Sequence, residues 1–421
     1  VRVHGAKAAQ RAAAQARKQR QFDWGARNPL VSDAEKIEES PGVMIEVRKN
    51  FRFSDIPFMA DFALGTSQIS YSDPNLRGLV IFAEVSNMVM PNLTIHSVRD
   101  FVLRRWVKFK NGQLKLAIKA ERVACSEPSS RAVRVQIRED SHESAYTWPL
   151  MECTVVMGEA VERKKQATRF DPLIRPRNVH WSSRDIYPTR ICYGRRLRGV
   201  RFVEAWSEEG IDYEVEVPPL AGNVTFTRFP MWALNPVLVA VVSTGFTLWR
   251  SHENFVDAFS FPFRVRRIEV YADIPGEGTR LKCYLRLTGV TPKSHLCDIT
   301  VSDGNGKTIM RIEGWEELAE RIPQEFRNII MQPATGFLSK DMPAELLGDP
   351  DTDIASAYMI DPPYEMFERH ENLWLEAISN VVLSSQEHAD FELMTHNAPR
   401  LTEWLYGRIA AKEAVRRYLR D

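Results

Sequence analysis

The 421-residue chain lacks any pairing logic among its cysteines. Its five, Cys125, Cys153, Cys192, Cys283 and Cys297, are odd in number, scattered and never in C-x-x-C spacing. That excludes a disulfide framework and a cysteine zinc site, and it points to a reducing, cytoplasmic compartment. An excess of either charge is also lacking, since 56 Lys and Arg stand against 55 Asp and Glu. Without a broad basic field to attract phosphate backbones, no nucleic-acid partner is expected. The basic, alanine-rich stretch from Val1 to Arg20 lacks an apolar h-region, so no secretory signal is expected. Only Met231 to Trp249 resembles a membrane span, and Asn235, Pro236, Ser243 and Thr244 interrupt it, so a buried core helix and no membrane are expected.

Core-forming material is present in quantity. Hydrophobic residues make up 44% of the chain and charged residues 26%, inside the globular range. The length exceeds one ordinary core, which predicts two or three folded units or one duplicated fold with appendages. Residues 1–40 read as a basic inter-domain linker in which Lys7, Arg11, Arg17, Lys18 and Arg20 alternate with alanines and no apolar face forms.

From Val43 the texture becomes short alternating runs. Met44 to Lys49, Leu114 to Ala120, Val133 to Arg138 and Cys153 to Met157 put apolar side chains at every second position, the period of a half-buried antiparallel strand. Between the first run and the rest, Asp73-Pro74 supplies an N-cap and a first-turn proline ahead of a helix apolar on nearly all sides. Such a helix must be buried all round. Past a linker near residues 161–175 the scheme repeats: Asn235-Pro236 opens a second apolar helix reaching Trp249. Flanking strands are expected at Tyr213 to Val217, Arg264 to Tyr271, Lys282 to Leu287 and Asp298 to Val301, with a hairpin turn at Asp303 to Gly306 leading into Thr308 to Ile312. Two units, each a buried helix wrapped by antiparallel strands, make an internal duplication. From about residue 335 the strand pattern stops, and an irregular connection precedes helices near Leu373 to Leu383 and Leu401 to Leu419.

Over roughly residues 40–335 the chain resembles the dehydratase region of iterative polyketide and polyunsaturated fatty acid synthases, the enediyne type included. Pro57-Phe-Met-Ala-Asp-Phe-Ala-Leu-Gly65 looks like that family's P-F-L-x-D-H-x-x-G segment, and Asn235-Pro-Val-Leu-Val-Ala240 is similar to H-P-x-L-L-D. Ile186 to Gly194 resembles the L-F-H-G-P-x-F approach to the second half. The resemblance implies an α+β double hot-dog, two antiparallel sheets each wrapping a buried helix, with a first hot dog at 41–165 and a second at 175–335. A C-terminal helical segment follows at 336–421. Glu403 to Arg417 resembles the W-x-x-K-E-A helix of phosphopantetheinyl transferases, which implies Glu413 as a magnesium ligand and Lys412 as a phosphate contact should the rest of a transferase follow. No acidic pair upstream completes such a site, and an amphipathic surface helix with i,i+4 charges explains the same pattern.

In that family a His takes the α-proton of a β-hydroxyacyl thioester and an Asp delivers a proton to the departing hydroxyl. By the resemblance, Phe62 stands at the His position and Ala240 at the Asp position, and neither side chain carries a proton. Phe58, Gly65, Tyr193, Gly194, Pro236 and Thr244 would line the pocket. Asp61 adjoins Phe62 but faces the opposite side of an extended segment. Tyr71, Tyr193 and Thr244 are conceivable donors yet poor bases without an activator. His96, His142, His180 and His252 fall outside the matching segments. Phe58, Met59, Phe62, Phe246 and Trp249 suit either an acyl tunnel or plain core.

Three functions follow as expectations. The first is a catalytically silent dehydratase-like domain that holds carrier-bound acyl chains. The second is a working dehydratase, in a parent whose His and Asp have been substituted or through unconventional residues. The third is a hot-dog thioesterase or isomerase. The resemblance implies no cofactor beyond the phosphopantetheine arm of an acyl carrier protein. The expected partners are that carrier, neighbouring synthase domains and a second copy in a homodimer.

Overall fold

The computed structural model describes residues 30–52, 61, 74–104, 109, 113–140, 148–159, 171–187, 190–191, 193–219, 236–251, 258–272, 275–291, 293–341, 357–359, 363–370, 372–394 and 398–419. The alternating runs become strands. In the first half these are β1 (Glu35–Ser40), β2 (Met44–Arg52), β3 (Thr94–Leu103), β4 (Gln113–Val123), β5 (Arg131–Glu139) and β6 (Met151–Gly158). The apolar helix α1 (Pro74–Val89) lies between β2 and β3. The second half contains β7 (Arg177–Ser182), the short α2 (Ser183–Ile186), a 3₁₀ turn (Arg195–Leu197), β8 (Val200–Ser207) and β9 (Gly210–Glu216). Its central helix α3 (Pro236–Arg250) precedes β10 (Ala258–Val270), β11 (Arg280–Val290), β12 (Ser294–Ser302) and β13 (Thr308–Arg321).

The duplication shows in the strand order β1-β2-β4-β5-β6-β3-β10-β13-β12-β11-β9-β8-β7. In each half the strand that follows the buried helix pairs with the last strand of its half, and the rest meander outward from there. Strands β3 and β10 also pair with each other, Val98 opposite Ile268 and Phe101 opposite Val265, so the two halves share one continuous antiparallel sheet. Helices α1 and α3 pack against each other inside it. Each is buried on nearly every side, as the even spread of apolar residues requires: Leu79 to Phe82 and Val237 to Val242 are at most 1% exposed. Among the described residues, no helix is long and apolar enough to cross a membrane.

The first strand begins inside the stretch expected to be linker. Leu30 and Val31 are fully buried, and β1 pairs with β2 from Glu35 onward. Residues 30–40 therefore belong to the folded first half. The acidic sequence Glu-Lys-Ile-Glu-Glu-Ser hides this because β1 is an edge strand whose residues are almost all exposed.

The C-terminal segment has its own core. Helices α4 (Gln324–Met331), α5 (Tyr364–Glu368), α6 (Leu373–Val382), α7 (Ser385–Leu393) and α8 (Ala398–Tyr418), with the short pair β14 (Ser339–Asp341) and β15 (Ala357–Met359), enclose Phe326, Phe367, Trp374, Leu405 and Ile409. The extended ends of β10 and β13 hold this lobe to the second half. The Phe259 ring lies tilted against Trp374 at 5.3 Å, and the Trp374 indole donates to Glu320 at 3.0 Å.

Candidate active site

Ala240 lies in the second turn of α3 and is 1% exposed. Its carbonyl accepts the Thr244 hydroxyl at 2.8 Å and the Ser243 hydroxyl at 3.0 Å. Thr244 therefore spends its donor on the helix backbone, the usual outcome for a buried threonine in mid-helix. The helix is drawn close to its sheet at Gly245, where a Cβ would stand 2.3 Å from the Tyr213 ring. The Tyr213 phenol donates to the Val242 carbonyl, and burial pushes its pKa well above the ordinary value, so it stays protonated. Gly199 makes a similar approach, since a Cβ there would lie 2.6 Å from Val241. The wall around Ala240 is thus tightly packed and apolar.

The Tyr193-Gly194 element holds the first half against the second. The Gly194 amide donates to the Asp61 carbonyl at 2.9 Å, and a Cβ on residue 194 would meet Asp61 Oδ1 at 1.9 Å. Asp61 Oδ2 accepts the Arg196 amide at 3.0 Å and its guanidinium at 3.1 Å. The carboxylate is committed to the 3₁₀ turn, which makes Asp61 a tether. Tyr193 packs half-buried on the main core, and its carbonyl accepts Arg198 Nε at 2.9 Å. Pro236 opens α3. Phe58, Met59, Phe62, Gly65 and Tyr71 lie outside the described residues, as do His142, Cys192 and His252. Of the remaining expected histidines, His96 bonds the Glu159 carbonyl at 3.1 Å, and His180 lies beside Phe202 at 5.8 Å.

The structure buries ionisable groups that the sequence pattern did not single out. Glu84, in the middle of α1, is fully enclosed, and its Oε2 accepts the Leu30 and Val31 amides at 2.8 and 3.0 Å. Burial raises its pKa well above the ordinary value. At the last turn of α3, Arg250 sits with His295 of β12 and Glu317 of β13, which face each other across the ladder. Burial pushes Glu317 up to about 7 against the opposing pull of Ser260, Trp315 and Arg250. Burial and the nearby Arg250 cation hold His295 below its ordinary value. One available signal was Glu84 itself, a lone acid in the run Leu-Val-Ile-Phe-Ala-Glu-Val, because a charge on an all-round buried helix needs a partner.

Comparison with known proteins bears on this arrangement. Residues 162–317 match the family model described as polyketide synthase dehydratase N-terminal domain. The fold matches the dehydratase domain from the CurJ module of curacin polyketide synthase, with a TM-score of 0.51 and 16% identity, covering 73% of this chain and 99% of that one. The α+β architecture is thus that of double hot-dog dehydratases. Similar structures also include the dehydratase domain of RzxB from Pseudomonas fluorescens, at TM-score 0.47 and 12% identity, covering 67% of this chain and 96% of that one. Another is the dehydratase domain of PpsC from Mycobacterium tuberculosis in complex with C12:1-CoA, at TM-score 0.47 and 15% identity, covering 70% and 100%. No curated protein matches the sequence.

The C-terminal helix does not fit the metal site that its resemblance implies. Glu413 is 2% exposed, and its two oxygens accept the Leu338 and Ser339 amides at 2.8 and 2.6 Å. Lys412 donates to the Val382 carbonyl at 2.8 Å and pairs with Glu387, whose pKa it pushes down to about 2. Among the described residues, no group of three or more His, Cys, Asp or Glu could hold a metal ion. Glu413 and Lys412 instead clasp the lobe's own backbone.

Proposed function

We propose that the chain is a dehydratase-like domain of a multidomain polyketide or fatty acid synthase. In this reading it receives β-hydroxyacyl thioesters on the phosphopantetheine arm of an acyl carrier protein and does not dehydrate them. The observation that carries the reading is the first turns of α3. At the position that the resemblance gives to the family's acid, Ala240 is buried, and the Ser243 and Thr244 hydroxyls both donate to its carbonyl.

The chemistry requires two proton carriers. The α-proton must leave to a base, and the β-hydroxyl must depart as water after taking a proton from an acid. A positioned group of either kind contributes about 10²- to 10⁴-fold. Phe62 and Ala240 supply neither. The apolar interior of the second half suits an acyl chain held without reaction, and a homodimer within the synthase completes the proposal.

The test is incubation of the protein with a β-hydroxyacyl carrier-protein thioester, followed by mass spectrometry of the carrier arm. The thioester is expected to persist intact. Loss of water at an ordinary enzymatic rate would sink the silent reading in favour of a working dehydratase, and release of free acid would favour a thioesterase.

A further inference from the structure

Charge is nearly balanced over the whole chain, yet between Asp171 and Arg201 eight arginines stand against two aspartates, with no lysine or glutamate. The structure gathers many of these arginines around Tyr187 and Tyr193. Arg198 sits 5.6 Å over the Tyr187 ring while its Nε holds the Tyr193 carbonyl. Arg184 projects from α2, one turn before Tyr187, and Arg195 and Arg196 form the 3₁₀ turn directly after Gly194. Arg184, Arg195, Arg196 and Arg198 are all exposed.

The acids nearby are already spent. Asp185 accepts the Ser182 amide and hydroxyl at 2.8 and 2.7 Å, Asp61 takes Arg196, and Glu216 takes Arg201 at 2.7 Å. Among the described residues, no carboxylate pairs with Arg184, Arg195 or Arg198. The patch also adjoins the Gly194–Asp61 tie that positions the first half against the second, and so it flanks the candidate site. The rest of the chain has more acids than bases, which disfavours a long polyanion and favours a compact acidic surface of matching size.

We infer that the arginine face formed by Arg184, Arg195, Arg196 and Arg198 is the docking surface for an acidic protein partner, the carrier that presents the thioester. The inference rests on the carrier-dependent reading above and adds where that partner lands. Arginine suits the role because its planar fork binds carboxylates in pairs and its charge never titrates away. Charge complementarity of this kind chiefly accelerates encounter, so it should weaken steeply with salt.

The experiment uses the full chain and a fluorophore-labelled acidic acyl carrier protein in its phosphopantetheinylated form, with binding read by anisotropy at low and high salt. R184E/R195E reverses two exposed charges that hold no part of the fold together. K293E/K307E reverses two charges on the β11–β12 and β12–β13 turns as the control. The expected result is at least tenfold weaker binding for R184E/R195E, less than twofold for the control, and loss of the difference at high salt. Equal effects of the two variants, or none from R184E/R195E while the unmodified chain binds, overturn the surface and leave the carrier reading standing. Absence of carrier binding by the unmodified chain overturns both. Tighter, R184-dependent binding of a single-stranded RNA oligonucleotide or an anionic lipid vesicle than of the carrier overturns the assignment to a protein.

Discussion

The two ends of α3 contain opposite solutions to the same problem. Near its start, Ala240 presents a methyl group and Thr244 turns its hydroxyl back onto the helix, so nothing there titrates in the ordinary range. At its end, Arg250 is 5% exposed beside His295 at 3% and Glu317 at 4%, three ionisable side chains under one helix terminus. The second half therefore tolerates buried charge when partners are built around it. The want of an acid at Ala240 is local and does not reflect an interior that rejects acids in general.

The contrast can be broken from the Ala240 end. On the proposed reading, placing both proton carriers in F62H/A240D should raise dehydration of a β-hydroxyacyl carrier thioester by about 10⁴-fold or more over the unmodified chain, since each group is worth about 10²- to 10⁴-fold. Either single variant should gain far less. No gain from the double variant would count against Phe62 and Ala240 as the positions of the catalytic pair.

The occupied end should fail when one member is removed. Arg250→Met leaves His295 and Glu317 without the neighbouring cation and is expected to cost about 3 kcal/mol, read by urea denaturation. A loss below about 1 kcal/mol would show the cluster to be a loose association.

An effect of similar size should appear in the pH dependence of stability. Glu317 has a folded pKa of about 7, raised from 4.5. The folded chain therefore keeps a proton that the unfolded chain has released over that window. This contribution is fully present below 4.5 and is lost as the pH climbs through about 7. Glu317→Gln should flatten that stretch of the profile, a difference on the order of 3 kcal/mol between the ends of the window. His295, lowered instead of raised, works with the opposite sign and cancels in the comparison between the two proteins.

Thr244→Val should change least, by less than about 1 kcal/mol, because the hydroxyl it removes satisfies a carbonyl that already has other donors. If the F62H/A240D background loses activity on adding this change while its stability holds, Thr244 has a role in the chemistry.

Much of this architecture was legible because its periods are clean. Pro74 and Pro236 mark the starts of the two buried helices, and the alternation in Leu114 to Ala120 or Lys282 to Leu287 places the strands directly. β3 escaped because register shifts between Ile95 and Ser97 and between Arg99 and Val102 break the alternation. β8 escaped for the same reason, with shifts after Val200 and Val203. α7 could have been found, since Ser384 and Glu387 form a capping box that the run Ser-Ser-Gln-Glu spells out. The assignment of Phe62 and Ala240 to the family's His and Asp positions rests on resemblance alone, and Phe62 lies outside the described residues. The Arg250, His295 and Glu317 cluster was not legible, because its members are far apart in the chain and only the folded ladder makes them neighbours. Glu413 shows the converse: a motif matched by spacing is used here for backbone amides that sequence spacing does not reveal.

The ladder between β3 and β10 has a mechanical consequence. A clam-shell opening of the two halves would have to tear a row of main-chain bonds and separate a pair of helices that lean on each other, so the two halves are held as one body. The spacing of the two buried helices is fixed when the chain folds, and side chains and surface segments are left to adjust.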